Sequence, residues 1–190
     1  MRTHFLVAGA VLGVSALSGC FTVPLPSNDP DSGINCLASV SPSGSGTTQG
    51  DLAFSVGSSY QSTAQTRPPD AGITGATMYI SLLRQAVPCA QEPDAGDTTS
   101  EGVWFWVQRT GSDRVTAGTY ADSQHTDGGP FFTGFAVLDG GVRVLQEGSL
   151  TLSSVADCSA AGTFSATFGV GDGGTSSLSG TFNSDYCVRR

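Results

Sequence analysis

Val103-Trp104-Phe105-Trp106-Val107 decides the reading of this chain, because five large apolar residues stand in a row without a charge. Successive side chains of a strand point to opposite faces. Val103, Phe105 and Val107 therefore share one face, and Trp104 and Trp106 share the other. A strand apolar on both faces is covered on both, by the sheet's own core and by a loop or partner.

The neighbouring segments repeat the strand signal. Residues Ala76 to Leu83 read ATMYISLL, closed by Pro88. Leu52, Phe54 and Val56 alternate with Ala53 and Ser55, and Val115 to Tyr120 form a short run. Phe131 to Leu138 and Val142 to Leu145 flank Asp139-Gly140-Gly141, a hairpin turn signal. Leu150, Leu152 and Val155 follow. Phe164, Ala166 and Phe168 then face Leu178, Gly180 and Phe182 across residues 169–177. Beyond the first twenty residues only Leu82 to Val87 hints at a helical turn. The pattern predicts an all-β domain of about seven to nine short strands, an antiparallel sandwich or closed barrel. The 26 glycines sit between β-branched and aromatic residues, so they read as turns and bulges and not as disorder.

The N-terminus has a different character. Arg2 is followed by an uncharged apolar run, Phe5 to Leu17, and then Leu17-Ser18-Gly19-Cys20. A basic start, a short apolar core and small residues before a cleavage point make a secretory signal. The core is too short to span a bilayer, which needs roughly 20 apolar residues. Leu17-Ser18-Gly19-Cys20 resembles the bacterial lipobox. The resemblance implies cleavage before Cys20, a diacylglyceryl group on its thiol and acylation (such as palmitate) of its new amine. It implies a lipoprotein held in the cell envelope through its acyl chains, with no other cofactor. Phe21 stands where an Asp would favour inner-membrane retention, so the same resemblance implies the outer membrane. The run Gly162 to Phe168, with Leu178 to Phe182 and Cys187 behind it, loosely resembles uncharacterised β-rich Gram-negative lipoproteins, which imports no activity.

The expected organisation is a signal peptide over 1–19, a lipidated flexible tether over 20–35 and a disulfide-braced β domain over 36–190. The tether holds three prolines and few large apolar residues. Residues 41–50, SPSGSGTTQG, are equally poor in core formers.

Five cysteines are present, and lipid takes Cys20. Cys36, Cys89, Cys158 and Cys187 remain, an even set in an exported chain, which predicts two disulfides. Three connectivities are open. The favoured one is Cys158–Cys187, bracing the C-terminal strands, with Cys36–Cys89 pinning the tether to a mid-chain loop. Long spacings and the lack of any C-x-x-C pair speak against zinc.

The charge excludes some partners. The chain has eight arginines, no lysine and sixteen acids, a formal −8. After loss of Arg2, seven cations face sixteen acids, a formal −9. Such a surface does not replace the counterions of nucleic acid and does not grip anionic lipid through a basic patch. Attachment then rests on the acyl chains, two or more of which anchor stably.

Catalytic constellations are not recognisable. His125 is the single histidine after the signal, in the polar run Asp122 to Gly129, and it reads as a solvated loop residue. Without it a serine triad has no base. Glu101 and Glu147 are a nominal carboxylate pair for glycoside hydrolysis, with nothing to say that they meet. Repeated Pro-Asp-Ala-Gly at Pro69 and Pro93, and Asp-Gly-Gly at Asp127, Asp139 and Asp172, read as turn chemistry more readily than as calcium loops. The non-catalytic feature is Trp104 with Trp106, extended by Tyr79 on a neighbouring strand. These three are the candidate ligand-binding residues, an aromatic platform for a glycan or peptide. The competing reading is that the indoles simply cover the sheet. The chain thus reads as a lipid-anchored envelope protein with a structural or protein-contact β domain, then as a glycan or peptide binder, and last as a hydrolase.

Overall fold

The computed structural model describes residues 28–29, 34–36, 41–66, 75–93, 97–110, 112, 114–121, 130–171 and 173–187. Eleven strands follow in order: β1 (Asn28–Asp29), β2 (Ile34–Asn35), β3 (Ser45–Gln49), β4 (Ser58–Thr66), β5 (Gly75–Leu83), β6 (Gly102–Thr110), β7 (Gly118–Ala121), β8 (Phe131–Leu138), β9 (Gly141–Ala156), β10 (Ser159–Gly169) and β11 (Thr175–Tyr186). A 3-10 turn, Cys89–Gln91, interrupts the β5–β6 connection. The all-β expectation is met. No helix among the described residues is long and apolar enough to cross a membrane.

Nine strands form one mixed sheet, ordered β10-β9-β7-β8-β6-β5-β4-β11-β3, with further pairings β10–β11 and β9–β8. Those extra pairings close a ring of hydrogen-bonded strands, running β4-β5-β6-β8-β9-β10-β11 and back to β4. The closing contact is short and parallel, Asp185 beside Tyr60 and Tyr186 beside Gln61. All the long pairings are antiparallel; β8–β9 and β9–β10 are tight hairpins of consecutive strands, whereas β6 pairs with β8 past the intervening β7. Asp139 and Gly140 carry φ of 52° and 73°, so the β8–β9 link is a two-residue turn with both residues left-handed. That turn sets Phe135 opposite Val144 and Val137 opposite Val142.

The inner face of the ring is the main core. Val103, Phe105 and Val107 of β6 join Met78, Ile80 and Leu82 of β5 and Phe132 of β8 there. Phe105 meets Phe132 at 5.1 Å and Phe164 of β10 at 4.9 Å between centroids. Strands that are not paired thus touch through the interior, which is filled. The Phe105 ring has room because Gly134 lies opposite it; a Cβ there would stand 2.8 Å from Cδ1 of Phe105 and 2.4 Å from the Trp104 carbonyl.

Several expectations need correcting. Residues 51–57 form no strand. Leu52 and Phe54 are buried, but the backbone there is held by Leu52 N–H donating to Ser177 O and Phe54 N–H donating to Thr48 Oγ1. The apolar alternation marks a buried loop. β4 carries no such alternation, because its inner face is polar: Ser59 Oγ and Ser184 Oγ lie 2.6 Å apart in full burial, and Gln61 is buried beside them. β3 falls in the stretch judged poor in core formers, and it adds to the outside of β11 without needing an apolar face. Within the expected flexible tether, β1 and β2 pair antiparallel. The segments Val142–Leu145 and Leu150–Val155 are one long strand, β9, irregular beside β10 near Thr167 and Phe168.

The disulfides are also redrawn. Cys36 bonds Cys158, and Cys89 bonds Cys187. The expected Cys36–Cys89 and Cys158–Cys187 pairs are not formed. The cause is parity. In the β10–β11 hairpin Ser159 faces Asp185, and the Tyr186 amide donates to Cys158 O, so Cys158 stands opposite Tyr186. Cys187 is one residue further on and points to the other face. Cys158 is left at the β9–β10 turn for Cys36, while Cys187 turns outward to Cys89.

Candidate functional site

The outer face of the ring carries the candidate platform. Register puts Tyr79, Trp106 and Thr133 in one row, and Ser81, Trp104, Phe135 and Val144 in the next. The rings form a continuous ladder. Trp104 stacks on Phe135 at 5.1 Å and 14°; Phe135 meets Trp106 at 5.4 Å; Trp106 meets Tyr79 edge-on at 6.1 Å. Sequence reasoning placed Tyr79, Trp104 and Trp106 together, and the structure does bring them together. It also separates their roles.

Trp104 is sealed at 1% exposure. A satellite cluster of Tyr60, Leu83, Cys89, Val137 and Cys187 surrounds it. The β5–β6 connection folds back over this end of the face and is tied down at four points. Ser58 Oγ donates to Gln85 O at 3.0 Å, and Tyr60 Oη to Val87 O at 2.5 Å. Ser81 Oγ donates to Glu92 Oε1 at 2.6 Å, and Cys89 is bonded to Cys187. Trp104 therefore cannot stack on a ligand, which corrects its assignment as a binding residue. Its Nε1 finds no hydrogen-bond partner among the described protein atoms.

Beyond the covering loop the face opens. Trp106, Tyr79 and Phe135 are half-buried. Val142 and Val144 are 55% and 57% exposed, the large apolar side chains most open to solvent among the described residues. Phe135, Val142 and Val144 were not singled out from sequence. The signal was available in the Asp139-Gly140 turn, because a two-residue turn fixes which residues of β9 stand beside Phe135.

Tyr60 links the covering loop to the ring. Its hydroxyl donates to Val87 O and accepts the Ser43 N–H at 3.3 Å. Burial pushes its pKa above the ordinary phenol value, opposed by the Ser43 bonds and aided by the charges of Glu92 and Asp185. The folded state thus prefers the neutral phenol. The stability this contributes is fully present below pH ~10 and is lost as pH rises further, because the unfolded chain ionises first. Tyr60→Phe should cost about 1–2 kcal/mol at neutral pH and should flatten the alkaline decline above pH ~10. Urea melts of both chains across that range check this; parallel alkaline declines would contradict it.

The other candidates stay apart. Arg84 pairs with Glu101 at 2.5 Å, and Glu101 also accepts the Asp139 N–H. Glu147 stands exposed on β9 opposite Thr167, and the two carboxylates share no partner among the described residues. Asp51 is held below the usual carboxylate range by the Ser177 N–H and Oγ, and Asp97 by Thr99 and Ser100, which are turn contacts. Cys20 lies outside the described residues, as do Asp122, His125 and Asp127. Among the described residues no three His, Cys, Asp or Glu side chains gather as a metal set. A cleft of about 180 Å³ lies beside Leu83, Val87, Asp97 and Glu101, smaller than the ~300 Å³ at which ligand pockets begin. The open aromatic face, and not this cleft, is the candidate surface.

The fold and site define a disulfide-braced, ring-closed β domain with a cluster of aromatic rings on its outer face. Comparison with known proteins finds no matching family model, no matching curated protein and no matching solved structure.

Proposed function

We propose that the protein is a lipoprotein of the cell envelope, hung from a membrane by acyl chains on Cys20, whose β domain works through surface contact with envelope partners and not through catalysis. The observation that carries this reading is the state of the cysteines. All four downstream of Cys20 are joined in two disulfides, the chemistry of an oxidising, extracytoplasmic compartment. Cys20 is left as the odd thiol, at the end of an apolar signal and a lipobox-like Leu17-Ser18-Gly19-Cys20. Phe21 beside it supports the outer membrane. Cys36 is clamped to the β9–β10 turn, so the chain enters the domain there, at most about 55 Å of extended chain from the lipid.

Membrane fractionation tests the reading. The wild type should pellet with membranes, resist high salt and yield only to detergent, since an acidic, lysine-free surface offers no electrostatic hold. Cys20→Ser should move to the soluble fraction, with more than about tenfold less in the pellet and an unchanged melting temperature. A wild type that is soluble, or a Cys20→Ser chain still pelleting like wild type, would overturn the proposal.

A further inference from the structure

We infer that the open part of the outer face, centred on Trp106, binds a neutral glycan; this rests on the contact-making role proposed above and names its partner.

Charge selects the partner. On a chain of formal charge −8, the strand positions around the open rings are uncharged: Gln108 on β6, Phe131 and Thr133 on β8, and Val142 and Val144 on β9. The carboxylate on this side of the strands is Glu147, further along β9 beyond Val144, where it stands opposite Thr167 of β10. Glu92 of the covering loop approaches, and Ser81 engages it. A basic partner would find no carboxylates spread across the open rings. An acidic partner would be repelled by the chain as a whole. What the face complements is a molecule without net charge.

The mixture of groups narrows it further. Trp106 offers a half-buried aromatic surface, with Tyr79 and Phe135 at 6.1 and 5.4 Å on either side. Gln108 follows on the same face of β6, and Thr133 lies directly across on β8. Both are half-buried. A pyranose presents the complement, an apolar C–H face rimmed by hydroxyls. The rings take the C–H face, and the amide and hydroxyl take the rim. A bilayer would bury the Gln108 amide and the Thr133 hydroxyl among acyl chains without partners, which is costly. The structure therefore favours a sugar over lipid, with Trp106 stacking, Tyr79 and Phe135 bounding the ring and Gln108 and Thr133 fixing its orientation.

The test uses the mature chain, purified from whichever cell fraction holds it, so that failure of the lipid anchor leaves the readout intact. Cellohexaose, laminarihexaose and maltohexaose are titrated by calorimetry and by tryptophan fluorescence at low and high salt. We expect saturable binding of at least one of them, with a Kd unchanged by salt, weakened by at least about tenfold in Trp106→Ala and partly restored in Trp106→Tyr. Gln108→Ala, a change at the half-buried rim that leaves the rings packed, should weaken binding several-fold, and serves if Trp106→Ala does not fold. The inference is overturned if the folded wild type binds none of the three. It is equally overturned by binding that is indifferent to Trp106→Ala and Gln108→Ala, or by Trp106-dependent attachment to phosphatidylcholine vesicles or self-association in place of sugar binding.

Discussion

Trp104→Ala should lower the stability of the domain by about 3–5 kcal/mol, whereas Trp104→Phe should stay within about 1.5 kcal/mol of wild type. The asymmetry follows from what the indole does. Trp104 is 1% exposed, stacks on Phe135 and fills the cluster under the covering loop. Truncation to alanine leaves a cavity that a loop tied at four points cannot collapse to fill. Phenylalanine keeps a ring on Phe135. It also removes the Nε1–H, which is buried without a partner among the described residues and costs the fold roughly 1–3 kcal/mol as it stands. The lost volume and the relieved donor work in opposite directions. Urea unfolding followed by circular dichroism measures both variants. A phenylalanine variant as damaged as the alanine one would mean that Nε1 is well served and the account of this face is wrong.

The second large effect concerns the bond that holds the cover down. Replacing Cys89 and Cys187 together by serine should cost about 2–5 kcal/mol, since the crosslink closes a separation of 98 residues. The loss has a local signature as well. Without the bond, the covering loop keeps Ser58–Gln85, Tyr60–Val87 and Ser81–Glu92, three hydrogen bonds worth roughly 1 kcal/mol each. Fluctuations of the loop should then expose Trp104, and acrylamide quenching of tryptophan emission should rise from a signal dominated by Trp106 to one shared by both indoles. A double variant with wild-type stability and unchanged quenching would show that the disulfide does not govern this loop.

Much of this was legible in the sequence, for definite reasons. Val103 to Val107 showed a strand apolar on both faces, and it sits at the centre of the sheet with the main core on one side and a loop over the other. Phe131 to Leu138, the Asp139-Gly140 turn and Val142 were legible because turn chemistry and alternation agree there. Even the count of two disulfides followed from the even number of cysteines left once Cys20 is set aside for lipid, as the lipobox-like sequence implies. The failures have a common cause in tertiary structure. β4 pairs by backbone and by buried hydroxyls, so its Ser-Ser-Tyr-Gln-Ser sequence shows no apolar period. Leu52 and Phe54 are buried from a loop, so their alternation signalled burial and not a strand. The connectivity of the cysteines depended on one step of register in the β10–β11 hairpin, which the five residues between those strands, Val170 to Gly174, leave unspecified. Trp104 and Trp106 are equivalent in sequence, and the loop carrying Cys89 makes one of them core and leaves the other at the surface.

The central claim is a disulfide-closed β domain suspended from an acylated Cys20, and mass spectrometry of the mature chain digested without reduction tests it most directly. The account predicts an N-terminal peptide that begins at Cys20 and carries a diacylglyceryl group, with Cys36 linked to Cys158, Cys89 linked to Cys187 and no free thiol. An unmodified Cys20, or peptides joining Cys36 to Cys89 and Cys158 to Cys187, would contradict it.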